Sequence, residues 1–145
     1  MLKSFALLMS ALFCLASAQA AQFSPKAEHV VDNVYAIVGP LGQRSQDNDG
    51  SNANFGFIVT SQGVILIDSG ASKLGAQKLE SAIAQVTRLP VRWVINTGSQ
   101  DHRWLGNEHF ASQGAQIIAL KRTTATQAEF ANQHMQMLAG FLGPR

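Results

Sequence analysis

The chain has 145 residues, of which 46% are hydrophobic and 14% are charged. This length and composition allow one modest globular domain and exclude a disordered or coiled-coil chain. The formal charge is only +2 at pH 7, and the basic residues are scattered, with only Lys121 and Arg122 adjacent. Because nucleic-acid binding needs a basic patch or stripe, we expect no nucleic-acid partner.

The first twenty residues have the pattern of a secretory signal. Lys3 gives a positive start, residues 5–16 form a short apolar core, and small residues at positions 18 and 20 mark a cleavage site. We therefore predict a signal peptide over residues 1–20 and a periplasmic or secreted mature protein that begins at Ala21. The apolar core is shorter than the ~20 residues of a membrane-spanning helix, so we expect no membrane partner after cleavage.

The only cysteine, Cys14, lies within the predicted signal peptide. The mature chain is therefore expected to have no disulfide, no thiolate metal site and no cysteine nucleophile. Any metal would have to be bound by histidine, aspartate or glutamate.

The next part of the chain predicts strands. Residues 21–29 predict an extended lead-in, and runs rich in β-branched and aromatic residues then predict four strands, at residues 30–31, 34–38, 53–60 and 64–68. The last of these has four consecutive apolar residues, so we expect both of its faces to be covered. Between the second and third strands, the polar residues 42–52 predict an exposed, mobile turn.

Helical spacing begins at Ser72, which can cap a helix. Leu79, Ile83 and Val86 follow at intervals of four and three and form one apolar stripe, and Pro90 ends the pattern.

The last third of the chain predicts two more strands, at residues 91–95 and 116–120, with a short helix between them. Thr123 or Thr124 can cap a last helix. We expect that helix to carry an apolar stripe from Ala128 to Leu138 and to end at Gly140. The predicted elements thus alternate between strands and helices after residue 72.

The polar residues 96–107 follow a predicted strand, so they lie on a loop at a strand end, where functional sites are often built. Asp101 and His102 are the best candidates for function, because a carboxylate oxygen and an imidazole nitrogen are both good zinc ligands. A catalytic zinc commonly has three protein ligands, so this pair predicts at most part of a zinc site. In the alternative interpretation, Asp101 caps the short helix near Trp104 and His102 packs locally.

Five blocks of the sequence, taken in order, are similar to those of a known family. The blocks are residues 34–37 (VYAI), 54–60 (NFGFIVT), 63–70 (GVILIDSG), 94–97 (VINT), and 101–107 with its Asp-His pair and its Leu-Gly-Asn end. Together they resemble the metallo-β-lactamase-fold hydrolases, and more closely the periplasmic branch that includes the quinoprotein-relay zinc hydrolases. In that family a His-x-His-x-Asp-His string follows the Asn-Thr pair. Here Gly98-Ser99-Gln100 precede Asp101 and His102, so two histidines are missing.

The resemblance implies an α/β (α+β) fold. Residues 30–145 would form the first half of an αββα sandwich, with a mixed sheet flanked by helices. The second half of that fold, which supplies the other sheet and further metal ligands, would be missing. Because a sheet without its partner layer exposes apolar surface, we expect self-association or a partner chain that covers the exposed sheet face.

The resemblance also assigns roles to residues of the predicted loop. Asp101 and His102 would belong to the second metal position of the family, and Asp101 would also orient the attacking water. Asp68 would brace the metal-bearing loop through hydrogen bonds. From the residues themselves, we expect the side chains of Asn96 and Thr97 to fix the loop, while Gln100 either faces the substrate or is a simple loop residue.

These observations leave three hypotheses for function. The first is an exported zinc hydrolase domain in which metal-activated water attacks an ester, thioester, amide or lactam carbonyl of a small-molecule substrate, impaired or inactive as this single chain. The second is a non-catalytic periplasmic binding or interaction module derived from the same fold. The third is a fragment of a longer hydrolase.

Overall fold

The computed structural model describes residues 23–143, so the predicted signal peptide lies outside the described residues. The strands are β1 (Ala27–Val31), β2 (Val34–Ile37), β3 (Phe55–Thr60), β4 (Gly63–Ile67), β5 (Val91–Asn96) and β6 (Gln116–Ala119). The helices are α1 (Lys73–Ala84), α2 (Asp101–Trp104), α3 (Asn107–Ala111) and α4 (Lys121–Leu142). Within residues 23–143, no helix is long and apolar enough to cross a membrane.

The six strands form one sheet, and their order in the sheet is their order in the chain. Strands β1 to β4 pair antiparallel, whereas β4, β5 and β6 run parallel. The parallel pairs are connected through helices, as parallel strands require. The predicted mixed sheet with helices is thus confirmed.

One face of the sheet is covered by helices, and we call it the covered face. Its side chains are packed with α1 and α3 into one core, to which Phe57, Leu66 and Val94 contribute fully buried side chains from three adjacent strands. Helix α1 begins as predicted, because the Ser72 hydroxyl accepts a hydrogen bond from the Gly75 amide at 3.0 Å. The helix ends at Ala84, before the predicted stop at Pro90.

The opposite face of the sheet, which we call the open face, is not covered by any helix within residues 23–143. The strand register places its side chains on alternate positions; they include Val31, Val34, Ala36, Ile58, Ile65, Ile67, Trp93, Ile95 and Ile118. Ile65 and Ile67 on the central strand β4 are both partly exposed. The expectation that both faces of this strand are covered is therefore wrong for the described residues.

The polar loop at residues 42–52 is exposed at residues 42–43 and 46–47 but buried at residues 48–51, so the expectation of an exposed turn is wrong for that second part. Asn48, Asp49 and Ser51 are all buried. Asp49 forms an ion pair with Lys78 of α1, and its backbone carbonyl accepts a hydrogen bond from the Ser72 hydroxyl at 2.9 Å. The loop therefore lies against the start of α1.

Helix α4 covers the same loop from outside. A Cβ atom at Gly50 would lie only 2.7 Å from Cδ1 of Leu138, so the helix approaches the loop backbone closely. This packing extends α4 to Leu142, through the predicted stop at Gly140, and the helix begins at Lys121 rather than at Thr123 or Thr124.

The first strand also begins earlier than predicted. Ala27 to His29, expected in the lead-in, belong to β1 because they pair with residues 35–37 of β2. The extended lead-in is thus shorter than the sequence indicated.

Candidate functional site

The candidate site lies where strands β4 and β5 end, at the same edge of the sheet because these strands are parallel. Residues 68–70 follow β4, and residues 97–100 follow β5 and lead into α2. Backbone hydrogen bonds join the two segments, from the Ser69 amide to the Arg103 carbonyl at 3.0 Å and from the Gly106 amide to the Gly70 carbonyl at 2.9 Å. The edge is therefore a single connected structure.

Asp68 is a buried hydrogen-bond acceptor at this edge. One carboxylate oxygen accepts the Thr97 amide at 2.8 Å, and the other accepts the Thr97 hydroxyl at 2.7 Å. The second oxygen also pairs with the Arg103 guanidinium at 2.9 Å. Asp68 has a φ of 60°, which is costly for a residue with a side chain, and these bonds offset that cost. Its geometry is that of a residue that braces the loop.

Asn96 fixes the start of the same loop from the end of β5. Its side-chain amide donates to the Arg103 carbonyl at 2.9 Å, and its side-chain carbonyl accepts from Asn107 Nδ2 at 2.8 Å. The Ser69 hydroxyl donates to the side-chain carbonyl of Asn107 at 2.8 Å. A Cβ atom at Gly106 would lie 2.1 Å from the Ser69 carbonyl oxygen, so this close approach requires glycine.

Asp101 is the first residue of α2 and is 3% exposed. Its carboxylate forms an ion pair with the guanidinium of Arg44, from the loop at residues 42–52, and accepts the His102 amide at 2.8 Å. Burial by itself would raise the pKa of this carboxyl group. The hydrogen bonds from His102 and Arg44, together with the charge of Arg44, outweigh burial and hold the pKa of Asp101 well below its ordinary value. Asp101 is therefore ionised and already paired.

The structure places His102 beside Asp101, with its Nδ1 atom 3.4 Å from the Asp101 carboxylate. Gln100 points elsewhere, because its side-chain carbonyl accepts the Arg103 Nε–H at 2.8 Å. Asp68, Thr97 and Gln100 thus share Arg103 as a partner, while Asp101 and His102 form a separate pair held by Arg44.

The structure does not have the alternative role for Asp101, a cap through backbone amides near Trp104. Gln100 occupies the position before α2, and no side chain caps that helix. Trp104 instead donates its indole N–H to the Ser99 carbonyl at 3.1 Å.

The residues at this edge do not fit a catalytic zinc site. Zinc of that kind commonly has three protein ligands, and only Asp101 and His102 lie together here. Among residues 23–143, no group of three or more histidine, cysteine, aspartate or glutamate side chains could hold a metal ion. A metal at Asp101 would also have to displace Arg44 from an existing ion pair.

Two important residues of the site were not predicted from the sequence. Arg44 is 57 residues from Asp101, and no local pattern indicates that contact. Arg103 lies within the predicted loop, but its partner Asp68 is 35 residues away, so no local pattern indicates that contact either. Both arginines bring positive charge to buried carboxylates.

Helix α4 is tied to the site as well. The Gln127 side chain donates to the Gly98 carbonyl at 3.1 Å, and the Phe141 ring stacks under the Arg44 guanidinium at 5.0 Å. The loop that carries Arg44 is therefore held between α4 and the strand-end edge.

No family model and no curated protein matches the chain. Solved structures do match it. The metallo-β-lactamase FIM-1 from Pseudomonas aeruginosa, in its mono-zinc form, superposes with a TM-score of 0.65 at 14% identity and covers 79% of this chain. A metallo-β-lactamase from Pontibacter korlensis superposes with a TM-score of 0.62 at 20% identity over 74% of the chain. A metallo-β-lactamase from Hirschia baltica superposes with a TM-score of 0.61 at 16% identity over 75% of the chain.

The matched parts are 50%, 48% and 49% of those three chains, so this chain spans about half the length of the structures that it matches. The superposition agrees with the expected partial fold, a mixed sheet with helices on one side. At these identities the likeness concerns the fold. The chain therefore has the metallo-β-lactamase fold, over about half of the length of the solved examples.

Proposed function

We propose that this chain is an exported, non-catalytic interaction domain that has a hydrolase fold and works without a metal. The observation that carries the proposal is the ion pair between Arg44 and Asp101. The guanidinium supplies a positive charge to the one carboxylate that the sequence singled out as a metal ligand. That carboxylate has no need of a metal for charge balance.

The second carboxylate at the edge supports the same conclusion. Asp68 is paired with Arg103 and with both donors of Thr97. Two buried carboxylates are thus matched by two guanidinium groups. A metal at either carboxylate would have to displace an arginine that already balances its charge.

Export is part of the proposal and rests on the pattern of residues 1–20. Periplasmic or secreted location predicts that the protein recovered outside the cytoplasm begins at Ala21. Intact mass spectrometry of the exported protein tests this directly, and a mass that retains residues 1–20 contradicts it.

A second candidate function is metal-dependent hydrolysis of an ester, thioester, amide or lactam. It is favoured by the metallo-β-lactamase fold and by the adjacent Asp101 and His102 at a strand-end edge. Zinc held by this pair would need further ligands, either from a longer form of the protein or from another chain. It would also need Arg44 to move away from Asp101.

Zinc binding separates the two candidates. Purified protein, the double variant Asp101→Ala with His102→Ala, and the control variant His29→Ala are each dialysed against zinc and analysed for bound metal. We expect less than about one zinc per ten chains in all three, because two ligands do not make a stable site.

Hydrolysis assays accompany the metal analysis, with a chromogenic β-lactam and a chromogenic thioester as substrates. We expect no rate above the background with or without added zinc. The proposal would be overturned by one bound zinc per chain together with zinc-dependent hydrolysis. That zinc would have to be lost in the double variant and kept in His29→Ala.

A further inference from the structure

We infer that the cleft between helix α4 and strand β6 is a binding site for a small primary amine with an apolar body. We call it the α4 cleft. It lies on the covered face of the sheet and has a volume of about 500 Å³. Small-molecule sites commonly have volumes of roughly 300 to 1,000 Å³. The inference goes beyond the proposed interaction role, because it concerns a second site that does not include the Arg44–Asp101 pair.

The α4 cleft has apolar walls that leave room between the helix and the sheet. Ile117 of β6 forms the floor, and α4 contributes Ala128, Ala131 and Met135 from the opposite side. Because the two alanines are small, the helix does not fill the space over the strand. Trp104 forms an aromatic wall, and its indole N–H is already bonded to a main-chain carbonyl, so the ring is held in place. These walls suit the apolar part of a ligand.

The polar groups that line the α4 cleft leave an acceptor for the ligand. The side-chain nitrogen of Gln127 is turned to a main-chain carbonyl, and that of Asn107 is turned to the side chain of Asn96. The Thr124 hydroxyl is bonded to a main-chain carbonyl as well. Gln127 is only 7% exposed, yet its Oε1 atom has no hydrogen-bond donor within residues 23–143. A buried amide oxygen of this kind needs a donor, which an amine can supply.

The charge of the α4 cleft is negative and comes from Glu108 alone, since no lysine, arginine or histidine lines it. Glu108 lies at the exposed rim and makes no ion pair within residues 23–143. Lys73 lines an adjoining cavity together with Glu108 but does not pair with it. An ammonium group carries three donors and a positive charge, and the faces of indole rings attract cations. The acceptor of Gln127, the charge of Glu108 and the Trp104 ring therefore all favour an amine.

The first test compares three ligands that share one alkyl chain, namely hexylamine, hexanol and hexanoate at pH 7. The protein is the Trp93→Phe variant, in which Trp104 is the only indole, so its fluorescence reports on the α4 cleft. We expect hexylamine to change the emission saturably below about 10 mM. Hexanol should bind at least about 5-fold more weakly because it lacks the charge, and hexanoate should not bind measurably. Isothermal titration of the unmodified protein measures the same affinities without the Trp93 substitution.

Two pairs of variants then locate the bound amine. Glu108→Gln should weaken hexylamine binding by about 5-fold and remove its advantage over hexanol, whereas Glu129→Gln, on an exposed position of α4, should change neither affinity. Ala131→Phe fills the cleft and should abolish the binding of both ligands. Ala139→Phe adds the same ring at an exposed position of the same helix and should leave binding unchanged. If Ala131→Phe fails to fold, the Glu108→Gln pair still decides.

Several outcomes would contradict the inference. The α4 cleft is not an amine site if hexylamine gives no saturable signal by either method, if the three ligands bind equally, or if a folded Ala131→Phe variant binds hexylamine as before. These readouts use no metal, so they are separate from zinc binding. A zinc-dependent hydrolase that binds hexylamine in the cleft would contradict the proposed function alone, whereas a metal-free protein that does not bind hexylamine would contradict this inference alone.

Discussion

The two faces of the sheet come from the same strands and differ in what lies over them. Leu66 and Val94 point to the covered face and are fully buried, whereas their sequence neighbours Ile65 and Ile95 point to the open face and are partly exposed. Both faces are apolar. The comparison teaches that the apolar residues of a strand do not show which face will be packed. Within residues 23–143, the positions of the helices decide that.

The sharpest way to test this contrast is to shorten neighbouring side chains of β4. Leu66→Ala should lower the free energy of unfolding by about 3 kcal/mol, because it removes a fully buried side chain and leaves a cavity. Ile65→Ala should cost about 1 kcal/mol in dilute protein, because its side chain is partly in water. Urea unfolding at low protein concentration measures both. Equal costs at that concentration would mean that the two faces are equally covered.

The strand-end edge, where both faces meet, provides the next largest effect. Arg44→Met should cost about 2 kcal/mol, because it leaves the buried Asp101 carboxylate without its cation. Arg92→Met, on an exposed arginine of β5, is the matched control and should change stability by less than about 0.5 kcal/mol.

A double-mutant cycle completes this test. Adding Asp101→Asn to Arg44→Met should recover part of the lost stability, since the uncompensated charge is then absent. Additive losses in the cycle would show that Arg44 and Asp101 do not interact.

Acid unfolding should test the lowered pKa of the Asp101 carboxyl group. The pKa of Asp101 is lower in the folded chain than the ~3.9 of an unfolded aspartate, so its contribution to stability is complete above about pH 4 and is lost as the pH falls toward its folded-state value. We expect Asp101→Asn to reduce the slope of unfolding free energy against pH in that window by up to one proton per chain. An unchanged slope would contradict the lowered pKa.

The smallest predicted effect concerns the start of α1, which packs on the covered face. Ser72→Ala should cost about 1 kcal/mol, because the Gly75 amide and the Asp49 carbonyl both lose their partner. Ser81→Ala on the exposed side of the same helix should change stability by less than about 0.5 kcal/mol. Equal small effects in thermal unfolding would argue that this cap does not hold the helix in place.

The parts of the fold that follow from local sequence were predicted well. Runs of apolar and β-branched residues located β3, β4 and β5, and Ser72 was identified as the cap of α1. These features depend on residues close together in the chain, so a sequence window contains the information.

The parts that were missed depend on distant contacts. The loop at residues 42–52 is rich in polar residues, yet residues 48–51 are buried because Lys78 and α4 pack against them. The Arg44 contact with Asp101 has the same origin. The composition of the loop does not show which residues pack against it. Asp101 could therefore be predicted as a metal ligand, but its pairing with the Arg44 guanidinium could not.

The order of the strands has a consequence for folding. Among residues 23–143, each strand pairs only with the strands before and after it in the chain, so none of the six has to be inserted between two that are already joined. Local pairing of this kind favours fast folding, and it suits a chain that is synthesised from its N-terminus onward. The hairpin of β1 and β2 can form before residue 40 is reached, and every later strand adds to the growing edge.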